Sequence, residues 1–445
     1  MSLEQENDHD PIKKVNGDGI DFADKLMDDL LQKKSLIFKE RTGISPAGRD
    51  VLSSSYKPEN PNYRDEQIKQ LVEYFKPCFR NEAPANLLIY GKTGTGKTLI
   101  SKHVASKILE RSKNGKEFFA PFIIYINVKM CNTKYRILAK ICEDLGLDVP
   151  KTGLATDQVL ETLKSLLKRE GRNLVTIIDE IDLLVRSREK DDLLYLLTRL
   201  SEEEPSVKVS IIGISNDLRF KTFLGIRVLS SLNAQEIVFP PYNIKELQSI
   251  LMERAVLAFN DGVVEPSIMN TIATLAARED GDARKALALL LKAAEVAEQS
   301  GSSFIDAEHV LKARDNCEFD TIEGFLTTLP DHYKLVIIGI SNSQAFNKCA
   351  VNTGSLLRIF HELVQNSDEY TSTIGSRRLL QILRELNDHG IIDLHILSSG
   401  RNGRYNVASM LIDRKIIESV FSKDAILKKL LNYVPKTRCL DTFIK

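Results

Sequence analysis

Eight consecutive residues, Gly91-Lys92-Thr93-Gly94-Thr95-Gly96-Lys97-Thr98, combine glycine's backbone freedom with hydroxyls and a terminal Lys-Thr pair. An apolar run over 86–90 precedes them and Leu99-Ile100 follows, so the segment reads as strand, loop and helix. Glycines let successive N–H groups and a helix N-terminus come close to the crowded oxygens of a triphosphate. In that arrangement Lys97 reaches the β- and γ-phosphates and Thr98 offers its hydroxyl to Mg²⁺. Further along, the apolar run 174–178 ends on Asp179 and Glu180. Asp179 suits the metal shell and Glu180 an attacking water, because phosphoryl transfer needs metal, lysine and a positioned water more than covalent help. Taken alone, Asp-Glu after a strand reads as the N-cap of the next helix; the phosphate loop favours the chemical reading. A third apolar run, 209–214, leads to Ser215-Asn216. The Asn216 amide suits the same water or the γ-phosphate, and equally a turn.

These residues need a frame. At 445 residues the chain is too long for one ordinary core, so two or three domains are expected. Lys plus Arg and Asp plus Glu both number 61, so no overall basicity announces nucleic acid. The balance hides an asymmetry: residues 1–30 hold nine acids against Lys13, Lys14 and Lys25, whereas residues 319–445 sum to about +3. The acidic head reads as a solvated tail. Six cysteines are scattered with no C-x-x-C pair, against a zinc ribbon or a disulfide framework and for an intracellular protein. No apolar run approaches a bilayer span, and the N-terminus lacks the basic-then-apolar order of a signal peptide, so no membrane is expected.

An amphipathic helix is expected over 65–75, then strands at 87–90, 122–128, 174–178, 207–212 and 236–239 alternating with helices. Strands this continuous in Ile, Val and Leu belong to a parallel sheet covered on both faces, an α/β fold. Pro240-Pro241 ends the last strand. Helical periodicity follows near 244–259, 266–277, 282–299 and 305–314, a small bundle. The expected division is an acidic segment 1–36, an α/β nucleotide domain 37–241, a helical lid 242–318 and a C-terminal domain 319–445.

In the C-terminal domain, helices over 353–366 and 374–389 flank a polar connection. Leu379, Ile382, Leu383 and Leu386 share one face of the second, leaving Arg377, Arg378, Gln381 and Glu385 on the other. Residues 391–397 and 405–407 then read as a hairpin with Arg401, Asn402 and Arg404 at its tip. Two helices plus a hairpin make a winged helix, whose second helix suits a major groove and whose arginines suit phosphates or a minor groove. Such modules also bind proteins.

The order of these motifs resembles the AAA+ ATPases of the replication-initiator branch, and specifically an archaeal initiator of the origin recognition complex and cell division control type. The likeness rests on Tyr63-Arg64-Asp65-Glu66, the phosphate loop, Ile178-Asp179-Glu180-Ile181-Asp182, Gly213-Ile214-Ser215-Asn216, Phe239-Pro240-Pro241-Tyr242 and Gly281-Asp282-Ala283-Arg284-Lys285-Ala286-Leu287, and covers about 36–411. It implies an AAA+ P-loop fold with parallel sheet, helical lid and C-terminal winged helix. It further implies that Tyr63, Arg64, Gly91 to Leu99 and Tyr242 form the nucleotide site, with Asp179 and Glu180 as Walker B pair, Asn216 as sensor 1 and Arg284 as sensor 2. Arg284 also opens a lid helix, from which it can bridge lid to phosphate. The branch carries a trans-acting arginine after sensor 1, for which Arg227 is the candidate; where eukaryotic relatives often end that segment with Arg, this chain has Leu232. Slow ATP turnover acting as a switch is therefore expected. After the second strand, Asn132-Thr133-Lys134-Tyr135-Arg136 resembles a helical motif of the branch that presses on the DNA backbone, which would make recognition partly indirect.

The resemblance implies an ATP-dependent replication initiator that binds double-stranded origin DNA, with ATP or ADP and Mg²⁺ as cofactors. A paralogous initiator, another copy on DNA and the replicative helicase are the further partners it implies, in a cytoplasmic, nucleoid-associated setting. The alternative is a non-cycling, ADP-bound regulator of origins or transcription.

Overall fold

The computed structural model describes residues 35–40, 46–114, 120–131, 133–150, 152–185, 191–347, 350–367, 369–370, 373–398 and 404–437. They form two compact units that divide between Ala313 and Arg314.

In the first unit, β1 (Leu87–Tyr90), β2 (Phe122–Asn127), β3 (Leu174–Asp179), β4 (Val209–Ser215) and β5 (Gln235–Val238) form one sheet in the order β2-β3-β4-β1-β5. Every neighbouring pair is parallel. The central strands β1, β3 and β4 are buried along their whole length, which is why their sequences are apolar rather than alternating. β4 begins two residues later than the apolar run suggests, because the Val207 N–H closes a turn on the Glu204 carbonyl before the ladder starts. Helices α1 (Asp65–Phe75), α2 (Lys97–Asn114), α3 (Lys134–Asp144), α4 (Thr156–Glu170), α5 (Asp191–Glu203) and α6 (Ile226–Leu232) belong to this layer. Tyr90 pairs with Ser215 and Asp179 with Asn127, so the strand ends from which the phosphate loop, Asp179-Glu180 and Asn216 emerge are gathered at one edge of the sheet. That is the crevice where open α/β sheets bind ligands.

The lid follows as α7 (Ile244–Ala258), α8 (Pro266–Glu279), α9 (Ala283–Gln299) and the start of α10 (Ala307–Thr328), whose part from Arg314 onward belongs to the second unit. Asn243 and Glu246 cap α7 reciprocally, Pro266 takes the first turn of α8, and the Asp282 carboxylate caps α9. Two expectations change here. α10 runs on to Thr328, past the expected end at Arg314, because its next proline is Pro330. Ile37, Phe38, Val51 and Leu52, expected with the α/β layer, join the lid: they share a core with Leu247, Leu251 and Phe259. Backbone bonds from Lys39 N to Ala258 O (2.9 Å) and from Asn260 N to Ile37 O (3.0 Å) fix Ile37 and Phe38 there.

The second unit contains α11 (Asp331–Asn347), α12 (Thr353–Gln365), α13 (Ser376–Asp388), α14 (Arg414–Phe421) and α15 (Ala425–Leu431). The short β6 (Val351–Asn352) pairs with β8 (Arg404–Met410), which pairs antiparallel with β7 (Ile392–Ser398). Leu379, Ile382, Leu383 and Leu386 bury one face of α13 against Ile359, Phe360 and Leu363. Two helices followed by this hairpin are a winged helix. Among the described residues no helix is long and apolar enough to cross a membrane.

Candidate nucleotide site and nucleic-acid surfaces

The phosphate loop closes against the lid. Gly94 has φ +68°, and a Cβ there would stand 1.7 Å from Asp282 Oδ1, so only glycine fits. Its carbonyl accepts from Ala283 N (3.4 Å), and Lys92 Nζ pairs with Asp280 Oδ1 (2.8 Å). From behind, the buried Arg64 donates Nε to Thr95 O (3.0 Å) and Nη2 to Pro240 O (2.7 Å), with its guanidinium 3.8 Å over the Tyr242 ring.

At the loop's end Lys97 is buried and donates to the Gly91 (2.7 Å) and Lys92 (2.6 Å) carbonyls. Burial pushes its ammonium down to about 8, with Asp179 pulling the other way and Arg284 adding to the fall. Asp179 is a hub: Oδ2 accepts from the Thr98 hydroxyl (2.8 Å) and the Tyr125 hydroxyl (2.7 Å), and Oδ1 accepts from Glu180 N (3.0 Å). Burial, then Asp179, raises the Tyr125 phenol, which stays a donor. Glu180 has φ +56°, a left-handed conformation rare for a non-glycine residue and held here by that Asp179 bond.

A cleft of about 290 Å³ joins these groups, lined by Thr93 to Thr98, Tyr125, Asp179, Glu180, Asn216 and Arg284. Of the expected site residues, Tyr63, Arg64, Gly91, Lys92, Leu99, Tyr242 and Arg227 do not line it. Arg64 and Lys92 are committed to carbonyls and to Asp280, so they brace the loop and lid, and Tyr63 donates to Ser249 Oγ (2.5 Å). Tyr242 and Leu99 line a second cleft, of about 820 Å³, which Gly94, Gly96, Thr98 and Arg284 also border. Arg227 is exposed on α6, away from both clefts. Tyr125 and Asp282 were not foreseen. The β2–β3 register pairs Asp179 with Asn127 and puts Tyr125 two residues before that partner on the same face, from which its hydroxyl reaches the carboxylate; the sequence of either strand alone does not reveal this.

Among the groups expected at DNA, Thr133 caps α3 by accepting from Arg136 N (3.3 Å). Arg136 is exposed, Lys134 half-buried, and Asn132 lies outside the described residues. Tyr135 is half-buried: its ring packs on the core and its hydroxyl donates to Pro150 O (2.5 Å). On α13, Arg377, Arg378 and Gln381 are exposed, joined by the unforeseen Arg384. Gln381 donates to Glu385 (2.8 Å). Arg404 opens β8, while Arg401 and Asn402 lie outside the described residues.

Three family models match: an AAA domain over 80–221, a Cdc6 AAA+ ATPase-type lid domain over 248–315, and a CDC6 C-terminal winged helix domain over 325–420. An ORC1-type DNA replication protein of Thermococcus onnurineus is 38% identical over 92% of this chain and 96% of its own length. The chain belongs to the ORC1-type DNA replication protein family. ORC1-type DNA replication protein 1 of Archaeoglobus fulgidus is 41% identical over 86% of this chain and 92% of its own. The solved ORC1 protein of Aeropyrum pernix, in complex with DNA, aligns with TM-score 0.76 at 36% identity, covering 89% of this chain and all of that one.

Membership of an AAA+ family implies nucleotide binding. In this ORC1-type chain Leu232 is buried in the α/β core, so that position cannot present a charge to a neighbour. The donors also fit Mg²⁺: Thr98 and Asp179 supply two hard oxygens, and no cluster of three or more His, Cys, Asp or Glu exists among the described residues. Mg²⁺ is commonly held by one or two carboxylates with waters and substrate phosphates rather than by an all-protein cage.

Proposed function

We propose that this ORC1-type protein is an ATP-dependent replication initiator that binds double-stranded origin DNA, with bound ATP or ADP setting its conformation. The observation that carries the reading is the single cleft joining Lys97, Thr98 and Asp179 to Glu180, Asn216 and the lid residue Arg284. Loop N–H groups and Lys97 hold the phosphates; Thr98 and Asp179 hold Mg²⁺, which supplies charge neutralisation at the phosphate oxygens. Glu180 and Asn216 orient the water. Arg284 senses the γ-phosphate from the lid, whose contacts to the loop through Asp280 and Asp282 give lid position a direct dependence on the phosphate site. Arg227 faces outward for a neighbouring copy or paralogue. α13 enters a major groove, Arg401 and Arg404 grip the backbone, and Lys134 with Arg136 presses on it as a second foothold. Slow turnover, recruitment of the replicative helicase and residence on the nucleoid in the cytoplasm complete the reading.

Two predictions test it. Because the free Lys97 ammonium titrates near 8 and phosphate must meet it protonated, ADP binding takes up a proton above that pH. ADP affinity is expected to fall by up to about tenfold per pH unit as the pH rises above 8; calorimetry in two buffers checks both affinity and proton uptake. Replacing Arg377 and Arg378 with Gln is expected to reduce the slope of log affinity against log salt by about one to two for duplex DNA. An unchanged slope in a fluorescence-anisotropy titration takes this helix off the DNA.

A further inference from the structure

Lid helix α7 sets an arginine with no hydrogen-bond acceptor among the described residues at the wall of a cleft. Arg254 is 7% exposed, yet among the described residues its guanidinium has no hydrogen bond and no ion pair. The Tyr56 ring lies 4.2 Å from the guanidinium carbon, and the Glu253 carboxylate is near enough to attract the charge. The adjacent carboxylate, Glu253, accepts from Asn62 Nδ2 (2.9 Å). The residue is largely buried, but its guanidinium nitrogens are not sealed from solvent, so their donors stand open to whatever enters the cleft they border.

Arg254 lines the cleft of about 820 Å³ that also borders Gly96, Thr98 and Leu99. The smaller cleft on the other flank of the loop holds Glu180 and Asn216, the groups suited to a terminal phosphate and its water. A nucleotide whose phosphates rest on the loop therefore extends its sugar and base into the larger cleft, towards Arg254 and Tyr56. A base edge carries in-plane ring nitrogens or carbonyls that match the planar fork of arginine, whereas ribose hydroxyls demand no such fork. Burial lowers the Arg254 pKa, with Tyr56 and Glu253 pulling the other way.

We infer that Arg254, stacked on Tyr56, is a specificity-determining residue that donates to a ring nitrogen or carbonyl on the base of the bound nucleotide. The inference rests on the nucleotide reading above. It makes base recognition a lid function.

The test uses the full chain with two ligands, ADP and ribose 5-diphosphate, which keeps the sugar and phosphates but lacks the base. Arg254→Met, of similar length, is expected to raise the ADP Kd at least tenfold and to leave the ribose 5-diphosphate Kd within twofold. The melting temperature of the ligand-free variant should be unchanged or higher, since an apolar side chain replaces a largely buried charge. An unchanged ADP affinity, or an equal loss for both ligands, overturns the inference; the second result would assign Arg254 to the ribose or to the fold. Arg254→Lys, which keeps the charge without the fork, is expected to lose ADP affinity to an intermediate degree, and ADP binding equal to the parent's also overturns it. Lys97→Ala keeps the two readings apart: it should weaken both ligands, and if it weakens neither, the nucleotide assignment itself fails and the base contact with it.

Discussion

Replacing Lys97 with alanine is expected to weaken ATP and ADP binding by roughly a hundredfold or more, with the fold retained. The side chain is buried at the loop's end and donates to two loop carbonyls, so its ammonium stands where phosphate oxygens would otherwise meet only backbone N–H groups. Charge-assisted hydrogen bonds are worth about 1.5–3 kcal/mol each, and two to a diphosphate account for roughly that loss. Alanine removes a desolvated charge as well as a ligand contact, so the empty protein should melt at no lower a temperature than its parent. Titration with a fluorescent ADP analogue checks the affinity. Binding equal to the parent's would remove the loop from the phosphate site.

The second large effect concerns turnover. Glu180→Gln is expected to cut ATP hydrolysis at least a hundredfold while ATP affinity stays within about threefold, because the amide keeps the shape but cannot take the developing proton from water. The geometry explains the separation. Glu180 is placed by a left-handed backbone turn and by its own N–H on Asp179, contacts that the amide side chain leaves intact. Single-turnover hydrolysis together with equilibrium binding distinguishes the outcomes. Hydrolysis at the parental rate would show that another group orients the water, and a matching loss of affinity would make Glu180 a binding residue.

Much of this arrangement was legible in the chain itself, for a physical reason. The phosphate loop, the acidic pair after β3 and the polar end of β4 each follow an apolar strand. Parallel strands of one sheet bring such ends together without further information. The winged helix was equally readable, because the apolar face of α13 has strong helical spacing and the hairpin has a turn signal. What escaped the sequence depends on contacts between distant segments. Tyr125 meets Asp179 only through the β2–β3 register, and Asp282 stops against Gly94 only when the lid is folded. Arg254 looks like any helix arginine until Tyr56 comes to lie beneath it. The same limit works in reverse. Arg64 and Lys92 have side chains suited to phosphates, yet carbonyls and a carboxylate brought in by tertiary packing occupy them. The lid also recruits Ile37 and Phe38 from far upstream, which no local pattern announces.

The central claim is that nucleotide state governs recognition of origin DNA. Its most direct test is the salt-dependent affinity of the full chain for a repeat-containing origin fragment and for scrambled duplex of equal length, each with ADP and with a non-hydrolysable ATP analogue. The account predicts a clear preference for the origin fragment whose size changes with the nucleotide. The same preference under both nucleotides would contradict it, and would favour a protein that holds ADP permanently and marks DNA without switching.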